Sequence, residues 1–351
     1  MNIPLFKIFN DKEDVENISE VIKMGLQWAK GGAISYFENN IKSYIGTKYC
    51  VLFNSGTTAL STLITANRLT GDIIVPRLTF KATYNAVRLA GGNPVFAESE
   101  SETYGLDADS VERVMTPGTE AIILVHYGGY PARDTDKIKR LAGERGLILL
   151  EDAAESFGAA IGDKKVGTFG EAAMFSFCQN KIITTGEGGC IVTDSQAIAS
   201  LARLLSDHGN DKNIIGSNYR MSSITAALGI AQLNKIDKIL ALRRMIAERY
   251  SEELGNLVTT PQSRDYAVYQ LYTIATPRRD ALKTFLTEKG IETKIYFECG
   301  SLISKRILSL PIYPSMTPIE QDYVIGAVKE FLSKQDYSSN GRVRLDRVGN
   351  C

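Results

Sequence analysis

Short apolar runs, each too brief for a helix, recur along roughly the first 190 residues: YCVLF at 49 to 53, DIIVP at 72 to 76, NPVFA at 93 to 97, AIILVH at 121 to 126, LILLE at 147 to 151, AMFSF at 173 to 177 and CIVT at 190 to 193. Runs of this kind lack the in-out alternation of a half-exposed strand and predict strands buried on both faces. The segments between them, such as TTALSTLITANRL and DTDKIKRLAGERG, have helical spacing, and the second ends in a glycine suited to a helix C-terminus. Strand and helix in alternation predict an α/β fold, a mostly parallel sheet between layers of helices. After about residue 222 the pattern turns to helices in SSITAALGIAQLNKIDKILALRRMIAERYSEEL, then to a smaller mixed stretch with VYQLYTIAT and KIYF as expected strands. The expected organisation is a large domain over 1–237, a smaller C-terminal α+β domain over 238–335 and a polar tail over 336–351.

Composition narrows the partners. Lys plus Arg and Asp plus Glu both number 40, and no basic block or arginine-rich stripe occurs, so the electrostatic footprint for nucleic acid or an anionic membrane is missing. Five cysteines without CxxC spacing and only two histidines, His126 and His208, argue against a disulfide framework and a His-rich metal site. The N-terminal MNIPLFKIFNDKEDVE carries charges where a signal peptide needs an apolar core, and no apolar run reaches membrane-spanning length, so the expected location is the cytoplasm.

Three segments carry the chemistry. LFNSGTTAL places Ser55, Gly56 and Thr57 between a strand and a helix, where unpaired N–H groups and the positive end of the dipole can receive a phosphate. Taken alone it reads first as an ordinary helix cap. LLEDAAESFG ends a buried strand with Asp152, at the sheet edge where open α/β folds bind ligands. A carboxylate there caps a loop or, opposite a cationic ring nitrogen, keeps that nitrogen protonated. In FSFCQNKIITTGEGGC, Lys181 lies among apolar residues and glycines; it is a surface lysine or one whose lost solvation favours the neutral, nucleophilic amine that a Schiff base requires. A ligand matching all three has a phosphate, a protonatable ring nitrogen and an aldehyde carbon, the handles of pyridoxal 5'-phosphate (PLP).

From about residue 15 to 335 the chain resembles the DegT/DnrJ/EryC1/StrS family of PLP-dependent sugar aminotransferases of fold-type I, through NSGTTAL, VPRLTFKATYNAV, VHYGGYPARDTDKI, LLEDAAESFGA, FSFCQNKIITTGEGGCIVT and NYRMSSITAALGIAQL. The resemblance implies that Lys181 is the lysine that binds the cofactor covalently and carries protons, that Asp152 partners the pyridine nitrogen, and that Gly56, Thr57 and Ser176 cradle the phosphate. It also implies that Phe80 stacks on the cofactor and that Asn218 reaches the phosphate of a neighbouring subunit, hence a homodimer with composite sites. Relatives that act as dehydratases carry histidine in place of Lys181, so the resemblance implies transamination, with L-glutamate as donor and a nucleotide-linked keto-sugar as acceptor.

Some positions depart from the family pattern. Glu155 stands where Gln or His is usual and is a candidate cofactor contact, accepting a hydrogen bond on the hydroxyl side of the ring if protonated or tuning the ring electronics; QWAKGGAI replaces a threonine-rich segment at Trp28, and the stretch between KIYFE and LSLPIYPSMT is short. Arg220 is a candidate for holding a substrate phosphate or carboxylate, or for bracing the interface. Trp28 and Tyr313 are candidate sugar-facing aromatics, and Glu187 is a candidate for orienting a loop at the subunit boundary. Two other readings stand beside the nucleotide-sugar one: a keto-cyclitol or keto-ulosonic acid as acceptor, and a non-catalytic PLP-fold binding protein.

Overall fold

A computed structural model describes residues 1–209, 213–261 and 266–333. Chain order begins α1 (Lys12–Met24), α2 (Gly32–Ile45), β1 (Tyr49–Phe53), α3 (Gly56–Ala66), β2 (Asp72–Pro76), α4 (Lys81–Leu89), β3 (Asn93–Ala97), α5 (Ala108–Val114), β4 (Thr119–Val125), α6 (Thr135–Arg145) and β5 (Ile148–Asp152). A small hairpin, β6 (Ala160–Ile161) and β7 (Lys164–Lys165), precedes β8 (Ala172–Ser176), β9 (Gly189–Thr193) and α7 (Gln196–Ser206). The remainder is α8 (Ser223–Asn234), α9 (Ile236–Leu254), β10 (Tyr272–Ala275), α10 (Arg279–Glu288), β11 (Ile307–Leu310) and α11 (Pro318–Ser333).

All seven apolar runs are strands of one seven-stranded sheet, ordered β1-β9-β8-β5-β4-β2-β3. The links from β8 to β3 are parallel, whereas β9 runs antiparallel to both β1 and β8. Two reversals leave β1 aligned with the parallel strands, so the carboxyl ends of β1, β2, β4, β5 and β8 share one edge with the start of β9. The pleat sorts side chains between two faces. Ile73, Val75, Ala121 and Ile123 pack with Leu60 and Leu63 of α3, while Ile74, Ile122 and Leu124 pack with Val111 of α5 and Ile138 of α6. At the β1-β9-β8 end, Leu52, Phe175 and Cys190 are covered by Phe37 and Ile41 of α2. Helix ends follow the sequence: Ser55 accepts from the Thr58 amide ahead of α3, and Gly146 ends α6 at a φ of 64°.

A second core gathers Tyr250, Leu254, Tyr272, Ile274, Leu308, Leu310, Val324 and Val328, with Ile3 from the chain start. Ile3 is fully buried and bridges to Ile291. The proposed boundary at residue 237 falls in the first turn of α9. KIYF is not a strand: β10 pairs instead with β11, and Lys294 makes only an isolated bridge to Ser309. Past Lys294 the segment leaves β11: Tyr296 and Phe297 line a cleft while Ile295 packs on the second core, so no ladder continues. The expected tail, 336–351, lies outside the described residues. Among the described residues, no helix is long and apolar enough to cross a membrane.

Candidate active site

The shared strand edge opens into a cleft of about 790 Å³ lined by Gly56, Thr57, Phe80, Asp152, Glu155, Ser176 and Lys181, seven of the residues singled out from sequence. Each arrives by its own element. Gly56 and Thr57 open α3, Phe80 precedes α4, Asp152 ends β5, Ser176 ends β8, and Lys181 lies on the connection from β8 to β9.

The expected phosphate cradle is closely packed. A Cβ on Gly56 would stand 2.9 Å from Ser176 Cβ, and one on Gly189 would stand 2.7 Å from the Gly56 nitrogen. These glycines therefore let the first turn of α3 settle against β8 and β9, with the Ser176 hydroxyl alongside. Ser55 is occupied by the Thr58 amide at 3.2 Å, so the first-turn amides of Gly56 and Thr57 have no side-chain cap among the hydrogen bonds of the described residues.

The Lys181 loop is closed at its base, where the Phe177 amide donates to the Gly188 carbonyl at 2.9 Å and the Thr185 amide to the Phe177 carbonyl at 2.9 Å. Gln270 reaches in from the segment before β10 and donates to the Asn180 carbonyl. Ile182 and Ile183 are buried, which turns the lysine toward the cleft, where its Nζ lies 3.4 Å from Glu155 Oε1. Glu155 Oε2 accepts from the Gly128 amide at 2.8 Å, and Gly128 holds this turn at a φ of 63°.

Asp152 is buried at the sheet edge, accepting from Thr83 Oγ1 at 2.8 Å and from the Ala154 amide at 3.2 Å. Burial pushes its carboxyl above the ordinary value, against the pull of Thr83, Ala154 and Lys181. Asp152 and Glu155 thus meet Lys181 in the cleft, whose wall also carries Glu187, Glu298, Lys81 and Lys294. Beside Asp152, Glu151 is fully buried, yet His126 at 3.1 Å and the amides of Gly167 and Gly170 outweigh burial and hold its carboxyl below the usual value. The Ala132 amide donates to His126 Nδ1 at 3.0 Å, which leaves the Nε2 proton for Glu151. His126 lines the cleft but is tied into the scaffold.

Four expected residues lie elsewhere. Tyr313 is fully buried in the second core, with Lys7 Nζ 4.8 Å above its ring; the expectation of a sugar-facing aromatic is corrected to a packing one, because its apolar run enters the core. Trp28 is 48% exposed and touches the scaffold through its carbonyl, which accepts from the Ser223 amide. Arg220 pairs with Asp207, which also takes Lys30 at 2.6 Å. Asn218 bridges to Asp207, and its carbonyl accepts from Asn54 Nδ2 at 3.3 Å, just before α3. None of these four lines the cleft of its own chain.

Sequence reasoning missed Thr83, Tyr296, Phe297 and the N-terminal Leu5 and Phe6, all on the cleft wall. Phe297 stands 5.8 Å from Phe80, ring to ring, at a φ of 64°. Thr83 had a signal in VPRLTFKATYNAV, three residues after Phe80 and one helical turn from Thr79; Phe297 had none, because KIYF reads as a strand. Glu187 also lines the cleft, accepting from Cys178 Sγ at 3.5 Å.

Residues 9–302 match the model of the DegT/DnrJ/EryC1/StrS aminotransferase family. The GDP-perosamine synthase of Escherichia coli O157:H7 is 32% identical, covering 94% of this chain and 99% of its own. Among solved structures, DesI in the presence of its TDP-sugar product is 28% identical with a TM-score of 0.87, covering 93% of this chain and 91% of its own. NtdA from Bacillus subtilis with bound cofactor PMP is 26% identical with a TM-score of 0.85, covering 92% and 83%. The helix-start amides, the buried acid and the cleft-facing lysine fit such a cofactor, and with the matched span they establish that the chain belongs to the DegT/DnrJ/EryC1/StrS family of PLP-dependent aminotransferases.

Proposed function

We propose that the chain transfers an amino group from L-glutamate to a nucleotide-linked keto-sugar, a 4-keto-6-deoxy hexose, for a surface glycan or glycosylated metabolite. The observation that carries this reading is the convergence of Lys181, Asp152 and the α3 amides on one cleft. A nucleotide-linked acceptor is supported by the relative named GDP-perosamine synthase and by DesI, solved with a TDP-sugar product. The lysine at 181 favours amino transfer over dehydration.

When bound, PLP supplies a carbon that exchanges an amino group and a ring that accepts the electrons released at the substrate carbon. Gly56, Thr57 and Ser176 would hold its phosphate and Phe80 would cover its ring. Asp152 would hold the proton on the ring nitrogen, its own charge being stabilised by that opposite charge. Lys181 would tether the cofactor, then act as base and acid at the substrate carbon once freed. Glu155, 3.4 Å from Nζ, gives the freed amine a carboxylate to rest against.

The partner of this reading is a second copy of the chain. Asn218 and Arg220 do not line their own cleft, yet their segment is moored through the Asn218 and Tyr219 carbonyls to Asn54, two residues before α3. This supports a homodimer in which each chain completes its neighbour's site.

Borohydride treatment followed by denaturation retains cofactor on the wild-type chain and none on Lys181→Ala. The absorbance of the bound cofactor changes on adding glutamate, and a panel of UDP-, dTDP- and GDP-linked 3-keto and 4-keto sugars identifies the acceptor by product formation. Failure with every nucleotide sugar, with the glutamate response intact, transfers the reading to a keto-cyclitol or keto-ulosonic acid. No response to any amino donor refutes aminotransfer.

A further inference from the structure

On the cleft wall lie two hydroxyls that the proposed reaction does not use. Thr83, in the first turn of α4, is 1% exposed and donates to Asp152 Oδ2 at 2.8 Å. Thr79, just ahead of α4, is also buried, and its Oγ1 lies 2.9 Å from Thr83 Oγ1. A hydroxyl has one proton, and that of Thr83 is committed to the carboxylate, so the proton in the second contact belongs to Thr79. The two hydroxyls therefore point one way, from Thr79 to Thr83 to Asp152, and each polarises the next bond in the row.

The surroundings show why Asp152 depends on them. Burial disfavours its charge, Glu155 opposes it and Lys181 favours it. The ring of His126, at the end of the neighbouring strand, is spent on Glu151, and only its backbone amide meets the Asp152 carbonyl. Apart from Thr83, the one donor to the carboxylate among the described residues is the Ala154 amide, at the longer distance of 3.2 Å and on the other oxygen.

We propose that Thr83, backed by Thr79, is a positioning residue that fixes the Asp152 carboxylate in orientation and in its charged form, so that it can hold a proton on the cofactor's ring nitrogen. This rests on the assignment of Asp152 made above. Because Phe80 lies between the two threonines, one short segment sets both the covering ring and the acid beneath it.

Thr83→Val removes the donor at nearly constant volume, Thr83→Ser keeps it, and Asp152→Asn serves as control. The readouts are the dissociation constant for PLP, the pH dependence of the bound cofactor's absorbance, and the urea midpoint of the cofactor-free chain against pH. Loss of one hydrogen bond to a charged group predicts about 10- to 100-fold weaker PLP binding in Thr83→Val, and about threefold or less in Thr83→Ser. The urea midpoint of Thr83→Val falls further below wild type as pH rises from acid to neutral; a purely structural threonine would give the same deficit at every pH and leave the absorbance profile unmoved. Thr79→Val shows the same pattern at smaller size and carries the test if Thr83→Val does not fold. Wild-type affinity and absorbance profile in Thr83→Val, with both lost in Asp152→Asn, overturn the proposal. An Asp152→Asn chain that behaves as wild type overturns the assignment of Asp152 instead, and the proposal with it.

Discussion

Replacing Gly189 by alanine tests whether the phosphate floor depends on backbone contact between β9 and α3. The added Cβ would stand 2.7 Å from the Gly56 nitrogen, 2.8 Å from its Cα and 2.8 Å from the Ser55 carbonyl carbon, and all three are backbone atoms. Reaching an ordinary contact of 3.4 Å moves the start of α3 by about 0.7 Å, beyond the roughly 0.5 Å within which a binding constellation keeps its geometry. Overpacking of this kind costs about 1–3 kcal/mol. Part of that loss falls on the amides of Gly56 and Thr57. With one charge-assisted hydrogen bond to phosphate forfeited, PLP affinity falls about 10- to 100-fold. Equilibrium dialysis gives the affinity and urea unfolding the stability. Gly186→Ala is the comparison: its φ of 80° strains any side chain, but its Cβ would meet nothing within 4 Å, so stability drops while affinity holds. If Gly189→Ala binds PLP within about twofold of wild type, β9 does not set the floor and the reasoning fails.

Three other outcomes are expected. Asp152 has its folded pKa raised above the ordinary 3.8, so its contribution to stability is full below that value and is lost as pH rises through the folded pKa; cofactor-free Asp152→Asn is therefore more stable than wild type near neutrality, and the advantage fades in acid, as urea midpoints against pH will show. Gly229→Ala drives a Cβ to 2.3 Å from the buried Phe37 ring between α8 and α2, so the melting temperature falls with a loss of about 1–3 kcal/mol or more. Mixing inactive Asn218→Ala and Lys181→Ala chains after unfolding and refolding restores roughly a quarter of wild-type activity, because about half of the dimers are mixed and each holds one complete site; no recovery refutes the shared site.

The sheet was legible because all its strands but the half-buried edge strand β3 are buried along most of their length, and a run such as AIILVH can satisfy nothing else. The chemistry on its rim was legible for a related reason: NSGTTAL, LLEDAAES and FSFCQNK each append polar residues to the carboxyl end of such a run, and the topology brings those ends together. Residues whose position depends on distant packing were not legible. Tyr313 and Phe297 are both aromatics beside prolines, charges or cysteines, yet one is sealed in the second core and the other faces Phe80. KIYF alternates like a strand, but β10 takes Ile307–Leu310 as its partner instead. The threonines under Asp152 were in plain view within a quoted motif, and only the 2.8 Å contact to a strand 69 residues later gives them a purpose.

The reversed direction of β9 also bears on how the site is assembled. The Lys181 loop joins adjacent strands, so the proposed anchor belongs to a hairpin that local pairing can close early. The α3 amides arrive only when β1 docks on the far side of β9, pairing Tyr49 with Thr193 across 144 residues. Closing so long a loop is entropically expensive and comes late. A chain caught before that step holds the lysine but nothing to receive a phosphate. PLP, by binding only the closed form, then acts as a folding ligand, drawing the first strand into place by mass action before it takes part in any turnover.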